Sequence, residues 1–409
     1  MNHTRRAGLV PPRPRNQPQL TQRRAGLVPP RPSPQPQLAQ RRAGLVPPSP
    51  NAPLSRRALL AGLSTLAAAP LTATAQGFAG LGTDASGFAL PSPDTRLQFP
   101  ADHGPHPDFR IEWWYLTATL TGPDGTPYGI QWTLFRSALA PAEAEGWSSP
   151  QIWMAHAALT TPNAHYSTER RARGGIGQAG VTAAPFAAWI DDWHMVANGS
   201  GTGDELDALS LTASAPDFAY KLQLQATGPL VLQGDKGYSV KSPSGQASHY
   251  YSQPFYEVTG ALTLPSGEIP VTGNAWLDRE WSSQPLAENQ AGWDWISLTF
   301  TTGARLMGFA LRATDATTFT SATWIAPDGT PIPYGDGALR LTPLEGSAPP
   351  TRWRVELPAQ SLDVEIDALR DDAWMEVSFP YWEGPVAITG SHQGRGYLEM
   401  TGYTAPQGG

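Results

Sequence analysis

Asp278 and Glu280 stand two residues apart in GNAWLDREWSS (273–283). On a strand that spacing puts both on one face, together with Trp276. Two carboxyls on a shared apolar face repel, and their pKa values split. One then stays protonated at neutral pH and can serve as a general acid. SHYYSQP (248–254) adds His249, Tyr250 and Tyr251, which can carry or hold a proton. The competing expectation is structural, with Arg279 and another arginine neutralising both acids at a barrel rim. A second candidate is Glu112 in FRIEWWYLTATL (109–120). Read as a strand, Phe109, Ile111, Trp113 and Tyr115 face one way, and Arg110, Glu112, Trp114 and Leu116 the other. A carboxyl among indoles has a raised pKa unless it is paired, and Arg110 on its own face offers an ion pair. His156 lies in the apolar run QIWMAHAALT (151–160), where a satisfied core histidine and a functional one are both open. His103 and His106, three apart in a Pro/Gly loop, would hold a metal only with further ligands. Bonding to loop backbone is the simpler expectation, and neither a metal nor an organic cofactor is expected.

The elements that must position these groups read as strands. GIQWTLFR, LSLTAS, YKLQLQAT and FYEVTGALTL in the first half, and DWISLTF, LMGFALR, TSATWIA, RWRVELP, LDVEIDA and YLEMTGY in the second, alternate or are rich in β-formers. Turns such as GPDGTP (122–127) and APDGTP (326–331) separate them. HYSTERRARGG reads as a charged loop and GSGTG (199–203) as a flexible turn. No long helical period occurs, so the chain is all-β, a barrel or a sandwich. EWWYLT (112–117) aligns with DWISLT (294–299), and GIQWTLFR (129–136) with MGFALR (307–312). Two copies of one β module follow, the second beginning near residue 286, with Asp294 the twin of Glu112. Part of the acid-and-Trp motif is then a barrel-closing device, which leaves Glu112 as pocket wall.

Composition narrows the function. Charged residues make up 15% of the 409 residues and tryptophan is abundant at 15, so a large aromatic core is expected. The absence of cysteine excludes disulfides, zinc–thiolate sites, iron–sulfur clusters and cysteine nucleophiles. GxSxG, GxxxxGKS and HExxH do not occur, and no GxGxxG follows a predicted strand. Residues 1–75 hold eleven arginines and no acid, leaving 17 basic and 35 acidic side chains in 76–409, a net of −18. So acidic a body argues against nucleic acid and anionic lipid surfaces as partners.

The first 54 residues repeat RRAGLVPP at 5–12, 23–30 and 41–48 and should be disordered, being too poor in apolar residues to form a core. Residues 55–75 carry Arg56-Arg57, an apolar run of about a dozen residues and the small-residue site Ala73-Thr74-Ala75. This is the pattern of a twin-arginine signal, too short to span a bilayer as a stable helix. It implies export to the periplasm or beyond, with an uncleaved anchor as the alternative.

EWWYLTATL, WMAHAALTT, HYSTERR, HYYSQP, GNAWLDREW, GWDWISL and GYLEMTGY, in this order over about residues 94–405, resemble the AttH/carotenoid 1,2-hydratase family of predicted secreted hydrolases. The resemblance implies two tandem lipocalin-like antiparallel barrels, at 94–285 and 286–406. It implies an apolar cavity in which an acid protonates an alkene and water captures the cation. The acid of that motif matches Asp278, with His249, Tyr251 and Trp276 beside it. Tyr251 stands where the hydratase pattern has Trp, and Trp276 where it has Tyr. Trp276, Trp113 and Trp114 would stabilise the cation by their π faces, with Glu112 a second acid or orienter and His156 and Glu280 further ligand contacts. The expected partner is a small isoprenoid- or lipid-like molecule, hydrated or hydrolysed by acid catalysis at Asp278, and the protein is expected to be a monomer. The alternative is a non-catalytic lipid carrier or accessory of an envelope transporter.

Overall fold

The computed structural model describes residues 85–199, 203–284, 286–287, 289–346 and 348–404. The repeats, the expected twin-arginine signal and the centre of the GSGTG turn lie outside them. The described residues form two antiparallel sheets and no α-helix.

The first sheet runs in spatial order through His165–Arg173, Gln151–Thr160, Pro127–Ala138, Ile111–Thr121, Gly267–Ser282, Ala247–Leu264, Ala219–Ala226, Ala208–Ser214, Trp193–Ala197, Phe186–Ile190 and Ala179–Ala183. Phe186–Ile190 packs back across Pro127–Ala138, Gln151–Thr160 and His165–Arg173, so the ends of the sheet curl together into a barrel-like layer. The second sheet runs through Pro331–Tyr334, Thr318–Ile325, Arg305–Ala313, Gln290–Phe300, Gly394–Met400, Tyr381–Gly390, Leu362–Ala368, Arg352–Leu357 and Arg340–Pro343. Two barrel-like antiparallel sheets are the expected fold class. The last strand of the first ends at Ser282 and the first strand of the second begins at Gln290.

The internal repeat falls on equivalent strands. Ile111–Thr121 lies between the second and last long strands of its sheet, and Gln290–Phe300 lies likewise in its own. Each copy carries an acid–arginine pair. Glu112 is directly opposite Arg136 and ion-paired with it, and Asp294 accepts from Arg312 Nε at 2.9 Å. The hairpin turns follow their residues too. In GPDGTP, Asp124 accepts from the Thr126 amide at 3.0 Å while Gly125 sits at φ +84°, a conformation that favours glycine.

Alternation assigns the faces. Trp114, Leu116, Trp132, Leu134, Leu277 and Trp281 fill the interior of the first barrel, so it holds a packed core rather than an open calyx. Ile296, Leu298, Trp353 and Trp382 do the same in the second. A third cluster, including Ile111, Tyr115, Tyr250, Trp276, Trp295 and Phe309, joins the outer faces of the two sheets. Arg305 crosses this seam to donate to the Pro254 carbonyl at 2.7 Å and lies 4.0 Å over the Phe255 ring.

Two local expectations are corrected. HYSTERRARGG is not a loop, because His165–Arg173 pairs along its whole length with Gln151–Thr160. It is an edge strand, and its run of charges, Glu169, Arg170 and Arg171, reads in sequence as a polar loop. A GxGxxG match at 175–180 therefore does follow a strand, but it leads into the strand Ala179–Ala183 and opens no helix.

The seam is close-packed where Gly129 meets Pro385. A Cβ on Gly129 would lie 2.6 Å from Pro385 Cγ, so Gly129→Ala should wedge the barrels apart and cost about 1–3 kcal/mol. Thermal denaturation checks this, and an unchanged midpoint would show that the seam yields without strain.

Candidate active site between the barrels

Asp278 is placed by its strand and by what surrounds it. Leu277 and Trp281 point into the first barrel, so Trp276, Asp278 and Glu280 point outward into the seam. Across the strand pair, Ser252 stands opposite Asp278 and Tyr250 opposite Glu280. Tyr250 OH donates to Asp278 Oδ2 at 2.5 Å, and Ser252 Oγ and Trp276 Nε1 donate to Oδ1 at 2.5 and 2.6 Å. Burial favours the neutral acid, whereas the three donors favour the carboxylate. Burial wins, and the Asp278 pKa is pushed up to about 7. Both protonation states are then accessible near neutrality, which suits general acid–base work.

Asp278 opens onto a cleft whose empty volume is about 830 Å³, solvent space at its mouth included. The walls are largely apolar, with Trp113, Tyr115 and Phe135 from the first barrel facing Trp293, Trp295 and Phe309 from the second. The polar members are few. Lys241 Nζ pairs with Glu280 at 2.9 Å and lies 4.3 Å over the Phe309 ring. Glu399 accepts from Trp293 Nε1 at 2.5 Å, and burial pushes its pKa up to about 7.

The structure brings Asp278, Trp276, Glu280 and Trp113 to this seam. It does not bring His249 or Tyr251 there. One residue either side of Tyr250, both point to the opposite face of the sheet, where His249 packs on Trp281 and Tyr251 OH bonds His103 Nδ1 at 2.7 Å. Tyr250 and Ser252 take the places at Asp278 that His249 and Tyr251 were expected to fill. Neutralisation by Arg279 is also corrected, since Arg279 lies inside the first barrel 3.8 Å over Trp114, and Lys241 pairs with Glu280 instead.

Glu112 and Trp114 line no part of the cleft. Glu112 faces the first barrel's interior, bonded by Arg136, Arg279 and His106 rather than by Arg110. Burial alone would raise its pKa, but the guanidiniums of Arg279 and Arg136 outweigh that and hold it far below the usual carboxylate range. Trp114 donates to the His103 carbonyl at 2.9 Å. His103 and His106 bond side chains rather than loop backbone. His103 Nε2 reaches Asp204 at 3.0 Å, and His106 stacks on Trp281 with centroids 4.0 Å apart. His156 sits one layer behind the cleft wall, its Nδ1 3.1 Å from Tyr381 OH.

Sequence reasoning missed Lys241, Tyr115, Ser252, Glu399 and the tryptophans of the second barrel as site residues. Within the first sheet, parity relative to Asp278 points to Tyr250 and Ser252 once the pairing is known. Nothing in the order of residues announces that the second barrel docks its outer face here. Among the described residues, no group of three or more His, Asp or Glu side chains could hold a metal ion.

A family model described as AttH-like matches residues 90–403. The crystal structure of a candidate AttH from Nitrosomonas europaea is similar over 78% of this chain and 100% of its own, at 35% identity and a TM-score of 0.68. Kievitone hydratase from Nectria haematococca is similar over 77% of this chain and 98% of its own, at 14% identity and a TM-score of 0.56, a likeness of fold alone. No curated protein matches the chain.

The raised pKa has a signature in stability. Below about pH 4 Asp278 is protonated in folded and unfolded chains alike. Between about pH 4 and about pH 7 only the unfolded chain ionises, so the fold loses stability as pH rises through that window. Asp278→Asn removes this titration, and its melting temperature should gain on the wild type between about pH 5 and pH 8. A constant difference across that range would show a carboxyl already ionised at its lower end.

Proposed function

The chain belongs to the AttH-like family, and from that premise we propose that it binds an isoprenoid- or lipid-like molecule in the inter-barrel cleft and hydrates it by acid catalysis at Asp278. The observation that carries this is a buried carboxyl, with its pKa near 7, opening onto an apolar, tryptophan-lined cleft. A protonated Asp278 gives its proton to one carbon of an alkene, and the π electrons form the new C–H bond. The cation left on the other carbon is held by the faces of Trp113, Trp293 and Trp295, since an aromatic face attracts a cation within about 6 Å. A water oxygen then bonds to the cation and releases its surplus proton to a carboxylate of the cleft. Hydration is also the activity named for kievitone hydratase, whose likeness supports the fold only. The twin-arginine pattern in residues 55–75 supports a site of action outside the cytoplasm.

A carrier role rests on the same apolar lining, and one experiment separates the two. Mass spectrometry identifies what co-purifies with the protein, and turnover and retention of that molecule are measured in wild type and Asp278→Asn. Retention is expected to be unchanged while turnover falls by at least about 100-fold, the scale of losing a general acid. Ligand retained by a wild type that turns nothing over would make the protein a carrier.

A further inference from the structure

The cleft holds one charged pair that protonation by Asp278 does not use. Lys241 follows the short strand Tyr238–Val240, and Glu280 stands two residues beyond Asp278 on the same face of its strand. Both side chains are buried and both line the cleft. The Lys241 backbone is fixed from two sides, its amide donating to the Gln246 carbonyl at 2.7 Å and its carbonyl accepting from Gln290 Nε2 at 2.8 Å. Its ammonium therefore has a set place, 4.3 Å over the Phe309 ring, 4.9 Å over the Tyr250 ring and 2.9 Å from Glu280 Oε1. That last contact is an ion pair without hydrogen-bond alignment, and Glu280 Oε1 has no hydrogen-bond partner among the described residues. The neighbouring polar groups are engaged elsewhere. Tyr250 donates to Asp278, Trp295 Nε1 to Tyr250 OH at 3.2 Å, and Tyr115 to Glu383. A buried carboxylate oxygen is costly in this state until something bonds it.

We propose that Lys241 and Glu280 read a hydroxyl group on the otherwise apolar ligand, so that the substrate is an unsaturated alcohol. The proposal rests on the hydration reading for the double bond and adds the oxygen. A hydroxyl both accepts and donates, so it can take a hydrogen bond from Lys241 Nζ and give one to the Glu280 carboxylate. Other end groups fit worse. A ketone or an ether accepts from Lys241 but leaves Glu280 unbonded. A carboxylate brings a second negative charge beside Glu280, which a low-dielectric cleft penalises. A plain hydrocarbon bonds neither side chain. Position adds a constraint, because Asp278 and Glu280, two residues apart on one strand, are separated by about 6.5 Å along it. The hydroxyl and the double bond must then be joined by a short chain of carbons, and an alcohol with the two adjacent cannot reach both groups.

Citronellol has this pattern, an isoprenoid alcohol with a short carbon chain between hydroxyl and double bond. Isothermal titration calorimetry of the full-length protein at neutral pH compares it with its parent hydrocarbon and with citronellate. Transfer out of water favours the hydrocarbon, so a preference for the alcohol reports bonds made in the cleft. The wild type should bind citronellol at least about tenfold more tightly than either, the scale of leaving a buried polar group unpaired. Glu280→Gln keeps the ammonium and removes the repelling charge, and should shift the preference from the alcohol toward citronellate by about the same factor. Lys241→Met with Glu280→Gln removes both charges and should abolish the alcohol's advantage over the hydrocarbon. Should these variants not fold, the wild-type ranking decides alone. Wild-type binding no tighter for the alcohol than for the hydrocarbon or citronellate, or an advantage that survives the double change, overturns the hydroxyl reading and leaves the apolar cleft as a binding site. No binding of any of the three overturns both. Turnover is not read, so failure of Asp278 as the acid leaves this test intact.

Discussion

One buried ion cluster sets the phase of the strand on which the site depends. Glu112 is fully buried, and Arg136 and Arg279 close on it from the two flanking strands. Removing such a carboxylate from its partners costs several kcal/mol. A slip of one residue would turn Glu112 out of the first barrel and turn Trp113 and Tyr115 into it. The cluster therefore holds Ile111, Trp113 and Tyr115 to the outer face. Through the direct pairing of Tyr115 with Asp278 it also fixes which face the neighbouring strand presents. Asp294 with Arg312 repeats the arrangement in the second barrel, where Trp293 and Trp295 are turned to the same seam.

Once the outer faces are apolar they must be covered, and covering them makes the low-dielectric cleft. Polar groups carried into it respond according to their company. Glu280 finds Lys241. Asp278 finds only neutral donors, and three of them do not outweigh its burial. Glu383 and Glu399, directly opposite each other, cannot both ionise without repelling across the strand pair. The acids that meet an apolar cleft, Asp278 and Glu399, thus stand between the two barrels.

Much of this was legible in the sequence, and the failures have a common cause. Period-two alternation in FRIEWWYLTATL assigned the two faces as they stand, and the echo with DWISLT located the second module's first strand. The spacing of Trp276, Asp278 and Glu280 placed them together on one face. Alternation, however, does not reveal which face is inside a barrel when both are aromatic. The family motif sets His249 and Tyr251 beside Asp278, whereas register puts Tyr250 and Ser252 there. The strand His165–Arg173 hid behind its charges. Glu399 became a site residue only through docking of one sheet on the other, which no local pattern encodes.

The central claim is that a neutral carboxyl persists at Asp278 at near-neutral pH because the seam excludes water. Carbon-13 NMR of labelled aspartate carboxyls across a pH titration, with Asp278→Asn assigning the resonance, measures it directly. A midpoint near 7 is expected. A midpoint below about 5, in the range of ordinary aspartates, would contradict it.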